Sequence, residues 1–145
     1  MSDSPTTSLL LDTHVWIWAV EGDRRALSQR AIWAIEDASK EGDILVSAIS
    51  VWEVATLEAR GRISLARPVD SWIDTALRGP GVRLLELSPQ ISVESTRLPG
   101  DPPPDPADRI LLASARNQGA RLLTCDRRLL EYADAGHVRA VNGRY

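Results

Sequence analysis

The sequence is poor in the residues that mark disulfide-stabilised, zinc-binding or membrane-spanning proteins. It has one cysteine and two histidines among 145 residues. A single cysteine permits no intrachain disulfide and suits a reducing cytoplasm, and no Cys/His constellation points to zinc. No segment approaches the ~20 apolar residues of a membrane-spanning helix, and residues 1–8 lack the basic and apolar parts of a secretory signal. We therefore expect a cytoplasmic protein with a single domain over residues 1–145.

Positive charge is also scarce, and lysine is almost absent. The chain has 17 Lys and Arg against 20 Asp and Glu, a formal net charge of −3, and Lys40 is its only lysine. This balance does not favour a nucleic-acid binder, because such proteins usually present a basic field. The objection weakens if several acids are gathered around a divalent cation, which would leave the arginines to meet a polyanion.

Short apolar runs alternate with helical patterns along the chain, which is typical of an α/β fold with a mostly parallel sheet of about five strands. The predicted strands are residues 8–12, 44–47, 82–87, 121–124 and, more weakly, 138–141. The predicted helices are residues 13–20, 26–41, 50–60, 69–78, 90–98, 105–117 and 127–133. Gly61, Gly79 with Gly81, and Gly119 follow helical runs, where a left-handed residue often ends a helix. The proline-rich residues 99–104 are predicted to form a loop within one domain.

Four acids are expected at the edge of the sheet where the strands end. Asp12 ends LLLD, Asp126 follows LLTC, Glu53 lies just beyond the ILVS strand, and Asp108 begins the helix before the RLLT strand. Ligands of parallel α/β sheets bind at this carboxyl edge. The sequence therefore predicts a site where these acids meet.

Each acid taken alone also fits a structural role as a helix cap. Ser50 with Glu53 fits a capping box, Asp105 before Pro106 fits a cap followed by proline, and Asp126 fits the cap of the last helix. Together, however, the acids exceed what capping needs. Asp108 shares a helical face with apolar residues that pack on the sheet, so it sits at the end of a buried face.

Converging carboxylates repel one another and raise each other's pKa values unless a cation holds them ionised. Hard divalent cations prefer oxygen ligands. The cluster therefore predicts a site for Mg²⁺ or Mn²⁺.

Four segments, LLLDTHVWIW, SAISVWEVATL, DPADRILLASA and LLTCDRRLL, resemble in order and spacing the motifs of PIN domains in VapC toxins. The resemblance runs over residues 9–141. It implies a PIN-like three-layer α/β/α fold, Mg²⁺- or Mn²⁺-dependent endoribonuclease activity on RNA, neutralisation by a cognate VapB-like antitoxin, and a toxin homodimer.

Carried over by position, the resemblance assigns the catalytic acids to Asp12, Glu53, Asp108 and Asp126. It implies metal binding by Asp12, Asp108 and Asp126, with Asp105 as an additional candidate. Glu53 either binds metal through water or holds the attacking water. The chain departs from similar sequences in two places near the substrate entrance: residues 102–104 are prolines where histidines are common, and Ala107 replaces an aromatic residue.

Other residues near the site have ordinary structural interpretations. Thr13 and Thr124 are neighbours that can orient carboxylates, although a helix-start or strand-end role is favoured, and packing is favoured over catalysis for His14. Cys125 is expected to be a small core residue. Core packing is also expected for the tryptophans, with base stacking only for an exposed one; these are Trp16, Trp18, Trp33, Trp52 and Trp72. The apolar runs at residues 15–20 and 50–57 are either enclosed by the domain or part of an interface.

Two rival functions use the same fold class. A receiver-like phosphorylation switch also places acids and Mg²⁺ at strand ends, but it needs a late-strand lysine, and Lys40 lies in an early helix. A PIN domain retained only for binding is the second rival. Neither the dinucleotide-binding glycine pattern nor a P-loop is present.

Overall fold

A computed structural model describes residues 8–145, and within that range the chain forms five strands and seven helices. The strands are β1 (Leu9–Leu11), β2 (Ile44–Ser47), β3 (Val82–Leu85), β4 (Arg121–Thr124) and β5 (Ala140–Asn142). The helices are α1 (Thr13–Glu21), α2 (Gln29–Lys40), α3 (Ala48–Ala59), α4 (Val69–Leu77), α5 (Pro89–Ser95), α6 (Pro106–Gln118) and α7 (Arg127–Asp134).

The strands form one sheet in the order β3-β2-β1-β4-β5, and every neighbouring pair is parallel. The predicted α/β class is therefore confirmed, with a sheet that is wholly parallel. Strand β1 lies at the centre between β2 and β4, and its Leu11 is paired with Leu123. The end of β1 consequently lies beside the end of β4.

Helices cover both faces of the sheet. Leu9 and Leu11 belong to one core cluster, which includes Trp16 and Trp72, and Leu10 belongs to the other, which includes Leu111 and Leu122. Successive residues of a strand point to opposite faces, so a strand buried on both sides is apolar throughout. This explains the uninterrupted LLL of β1 and yields the three layers that were predicted.

The predicted boundaries agree closely for most elements. Strands β2 and β4 begin and end as predicted, whereas β3 ends two residues early. Strand β5 begins two residues later and ends one residue later than the predicted residues 138–141. The prediction of a single domain over residues 1–145 stays a prediction, and residues 1–7 lie outside the described residues. Among the described helices, none combines the length and apolar character needed to cross a bilayer.

Two local predictions were wrong. The capping box of Ser50 and Glu53 does not form, because α3 begins earlier, at Ala48, with Ser47 accepting a hydrogen bond from the Ile49 amide at 3.1 Å. Gly79 does not adopt a left-handed conformation; Gly81 does so instead, with φ of 75°.

The prediction of core packing was correct for some aromatic residues and wrong for others. Trp16 and Trp72 are 1% and 2% exposed and pack edge to face with ring centroids 5.2 Å apart. Trp33 and Trp52, in contrast, are 61% and 60% exposed. His14 is exposed too, with its ring against that of Trp18 rather than in the core.

Candidate active site

The acids predicted from the sequence lie at the carboxyl edge of the sheet. Asp12 directly follows β1, and its amide donates to the Leu123 carbonyl at 3.0 Å, which extends the pairing with β4 by one residue. Asp126 follows β4 and begins α7. Glu53 lies in the second turn of α3, and Asp105 and Asp108 lie at the start of α6, which leads into β4.

Asp12 is held firmly between two elements. Its Oδ1 accepts the Thr13 amide at 2.7 Å, as the N-cap of α1, and its Oδ2 accepts the Thr124 hydroxyl at 2.7 Å. Burial raises the pKa of Asp12, and the hydrogen bonds from Thr124 and Thr13 oppose the rise. The Thr124 hydroxyl also accepts the Asp126 amide at 3.0 Å. Thr124 therefore orients a carboxylate, a role that the sequence interpretation had ranked second.

Glu53 is connected to a pair of buried hydroxyl groups. Thr13 donates from Oγ1 to Glu53 Oε1 at 2.5 Å, and the Ser50 and Thr13 hydroxyl oxygens are 2.8 Å apart. A hydroxyl has one proton, so when Thr13 donates to Glu53, Ser50 donates to Thr13. Burial raises the pKa of Glu53, while the Thr13 hydrogen bond lowers it and the charges of Asp12 and Asp105 add to the rise.

Asp105 and Asp126 act as helix caps, as their structural interpretation predicted. Asp105 Oδ1 accepts the Asp108 amide at 3.0 Å, and Asp126 Oδ1 accepts the amides of Arg128 and Leu129 at 2.8 and 3.3 Å. Each cap uses one carboxylate oxygen. Capping therefore leaves the second oxygen of each side chain able to bind a cation.

Asp108 is the acid whose environment is most adverse to charge. Burial, followed by the charges of Asp105, Asp12, Asp126 and Glu53, raises its pKa from 3.8 to about 7. Within residues 8–145, no hydrogen bond to the Asp108 carboxylate is found. The five acids are thus close enough to oppose ionisation of one of them, and the predicted convergence of charge is present.

The side chains do not form a ready-made metal cage. Among the described residues, no group of three His, Cys, Asp or Glu side chains is arranged to hold one ion. The donors nevertheless fit a hard divalent cation, because all five are carboxylates and the Asp108 carboxylate lacks a protein partner. Binding of one ion by several of these acids would require their side chains to rearrange.

Sequence reasoning missed Ser50 as a site residue. Its side chain is 0% exposed and contacts Thr13, although its position suggested a helix cap. The available signal was a small polar residue within an otherwise apolar helix, one turn before Glu53. His14 also lies closer to the chemistry than expected, since its charge is among the influences that lower the pKa of Asp12 and Glu53.

Comparison with known proteins gives consistent results. A family model described as the PIN domain matches residues 9–135. Ribonuclease VapC22 of Mycobacterium tuberculosis is 42% identical over 124 residues, which cover 85% of this chain and 90% of that protein.

Solved structures show the same fold. The crystal structure of VapBC2 from Rickettsia felis bound to a promoter DNA fragment contains a chain that matches with a TM-score of 0.67 at 14% identity, over 94% of this chain and 99% of that one. A toxin–antitoxin complex from Klebsiella pneumoniae matches with a TM-score of 0.63 at 22% identity, over 93% and 97% of the two chains. At these identities the likeness concerns the fold alone.

Proposed function

Because this chain belongs to the PIN-domain family, we propose that it is a VapC-type toxin that cleaves RNA phosphodiesters with the help of a divalent cation. The family resemblance deduced from four sequence motifs is confirmed. The observation that supports the chemistry best is that Asp108 is half-buried beside four other carboxylates; burial first and then their charges raise its pKa to about 7. Structural capping alone does not require that arrangement. Because the proposed substrate is RNA, the proposed location of the protein is the cytoplasm.

Asp12, Asp108 and Asp126 are the metal ligands in this proposal, with Asp105 as an additional ligand and Mg²⁺ or Mn²⁺ as the ion. When bound, the cation supplies charge stabilisation at the phosphate and lowers the pKa of the attacking water. Asp12 is pre-oriented for this role because Thr13 and Thr124 fix both of its oxygens. Asp108 and Asp126 have oxygens available to complete the set.

Glu53 is the residue that holds the attacking water and accepts its proton. Its raised pKa makes it a better base than an ordinary carboxylate. Thr13 fixes its Oε1, so the other oxygen remains for the water. Ser50 in turn fixes the Thr13 hydroxyl, which gives the base a single orientation.

A VapB-like antitoxin is the proposed inhibitor. The acid cluster is a concentrated negative site, and an arginine from a partner would pair with two carboxylate oxygens and exclude the metal. Trp52 of α3 and Val20 of α1 are 60% and 40% exposed, within the two apolar runs of the sequence. These side chains offer apolar surface for the partner. A homodimer of the toxin is also proposed, and sedimentation of the purified chain tests it.

The rival functions receive less support. A receiver-like switch would need a lysine near the acids, but Lys40 ends α2, which leads into the opposite end of β2. A PIN domain that binds RNA without cleaving it keeps the same fold and differs only in turnover.

Induced expression followed by mapping of RNA 5′ ends tests the proposed function. We expect cleavage at a restricted set of sites and arrest of growth, both absent for Asp108→Asn. A 2′-deoxy nucleotide at a mapped site should still be cleaved in the purified reaction, because the nucleophile is water and not the neighbouring 2′-hydroxyl. Absence of new ends, or loss of cleavage on 2′-deoxy substitution, would contradict the proposal.

A further inference from the structure

A large basic pocket lies beside the edge strand β5. It has a volume of about 830 Å³ and is formed where α6 and α7 end and β4 and β5 begin. Its charged lining residues are Arg116, Arg121, Arg139 and Asp134. Arg121 is the first residue of β4, whereas Thr124, which holds Asp12, is the last. Three steps of about 3.3 Å along the strand separate the two positions. The arginine end of the pocket therefore lies away from the acids, although the pocket extends along β5 as far as Asn142, which pairs with Thr124.

Arg121 carries an unsatisfied donor. Its Nε is buried and has no hydrogen-bond partner within the described part of the chain. Leaving a buried donor of this kind unpaired is costly, and the cost is greater for a charged group. The Nε is closed to solvent in this conformation, so the Arg121 side chain has to turn towards the pocket before an oxyanion binds it. The Nε and an adjacent Nη would then hold the oxyanion together, in the two-pronged geometry that guanidinium groups offer to phosphate.

The other two arginines are held in place without losing their charge. Arg116 donates to the His137 carbonyl, and Arg139 donates to the Gly119 carbonyl at 2.6 Å. Each guanidinium has five donors, so these contacts fix the side chains and leave further N–H groups for a ligand. The ion pairs found among residues 8–145 involve Arg78 and Arg83, not these three arginines. The lining therefore has three positive charges and one negative charge.

We propose that this pocket binds a phosphate group of the RNA backbone remote from the scissile bond. The inference rests on the proposed function, because it takes RNA as the substrate. The acid edge repels a polyanion, and the whole chain has a net charge of −3. Local basic surfaces are therefore needed to bind RNA, and the arginine pocket supplies one.

The test measures binding of a fluorescent single-stranded RNA of 20 nucleotides by anisotropy at several salt concentrations. All proteins carry Asp12→Asn to prevent cleavage. Adding Arg121→Gln should weaken binding about tenfold at low salt, as expected for a charge-assisted contact. It should also reduce the slope of log affinity against log salt by about 0.7, the value for one lost phosphate contact on single-stranded RNA.

Matched variants separate this contact from a general effect of charge or folding. Arg62→Gln removes an exposed arginine outside the pocket and should leave affinity and slope unchanged. Arg139→Gln should repeat the effect, and it is the deciding variant if Arg121→Gln does not fold. With the native acid at position 12, Arg121→Gln should raise KM for the same RNA and leave kcat unchanged.

The outcomes distinguish the pocket from the proposed nuclease. If the parent and both pocket variants have equal RNA affinity and equal salt slope, the proposed phosphate site is wrong. Cleavage of RNA by the native chain would still support the proposed nuclease activity. If the native chain cleaves no RNA but the salt slopes still differ, the nuclease fails and the pocket stands. If the parent binds no RNA, the pocket fails, and cleavage by the native chain alone decides the nuclease.

Discussion

Replacing Asp108 by asparagine should stabilise the metal-free fold above neutral pH. The pKa of Asp108 is raised from 3.8 to about 7 by burial and neighbouring acids. Between these values the folded protein keeps a proton that the unfolded chain has lost. Stability therefore falls as pH rises from about 4 to 7, and the loss is complete above pH 7.

The size of the effect follows from the width of that interval. Roughly three pH units at about 1.4 kcal/mol each give an upper bound of about 4 kcal/mol. Asp108 is only half-buried and water screens its neighbours, so we expect about 1 to 2 kcal/mol. Asparagine also removes a negative charge from the first turn of α6, which costs about 0.3 to 1 kcal/mol. The net gain at pH 8 is then about 1 kcal/mol, or roughly 3 °C in Tm for a chain of this length.

Thermal unfolding followed by circular dichroism in excess chelator measures this gain. The gain in Tm should shrink by more than half as the pH is lowered from 8 to 5. Asp37→Asn, an exposed change on α2, should show no such trend. Asp12→Asn should not stabilise the protein as much, because it disturbs the hydrogen bonds from Thr13 and Thr124. An Asp108→Asn protein that is no more stable than the parent at pH 8, or equally stabilised at both pH values, would refute the reasoning.

Three further predictions concern the base, the metal and the partner. Thr13→Val should lower kcat by roughly tenfold or more with little change in KM, because the Thr13 hydroxyl orients Glu53. Thr13→Ser should restore kcat, and equal kcat values for the two variants would contradict this role. Apparent affinity for Mn²⁺, read from the metal-induced rise in Tm, should weaken roughly tenfold per pH unit below about 7, since Asp108 must lose its proton to bind the metal. A rise in Tm that does not depend on pH would exclude Asp108 as a ligand. Trp52→Ala should weaken binding of the co-expressed neighbouring gene product about thirtyfold without loss of cleavage, whereas Val93→Ala on α5 should not; equal binding by both variants would remove Trp52 from the interface.

The order of elements was predictable because parallel strands are buried on both faces. The runs ILVS and RLLT are short, and their apolar residues lie between polar ones, Asp43 and Ser47 for the first run and Arg121 and Thr124 for the second. Their ends could therefore be placed to the residue. Asp12 and Asp126 could be placed at one edge for the same reason, since each follows such a run.

Other features depend on packing that the sequence does not reveal. The pattern of α3 fits a cap at Ser47 or at Ser50, and only the position of the helix against α1 decides that Ser50 is buried beside Thr13. Periodicity places Trp52 on an apolar stretch but does not say whether another layer covers it. The raised pKa of Asp108 depends on its burial and on charges from four separate segments. The basic pocket depends on arginines from α6, β4 and the approach to β5.

Metal-dependent nuclease activity is tested by cleavage of one defined RNA by the purified chain as free divalent metal is titrated with chelator. Cleavage should rise with Mg²⁺ or Mn²⁺, stop in excess chelator, return when metal is restored, and be absent at every metal concentration for folded Asp12→Asn. Undiminished cleavage in excess chelator, or equal cleavage by Asp12→Asn, would contradict a metal-dependent nuclease built on these acids.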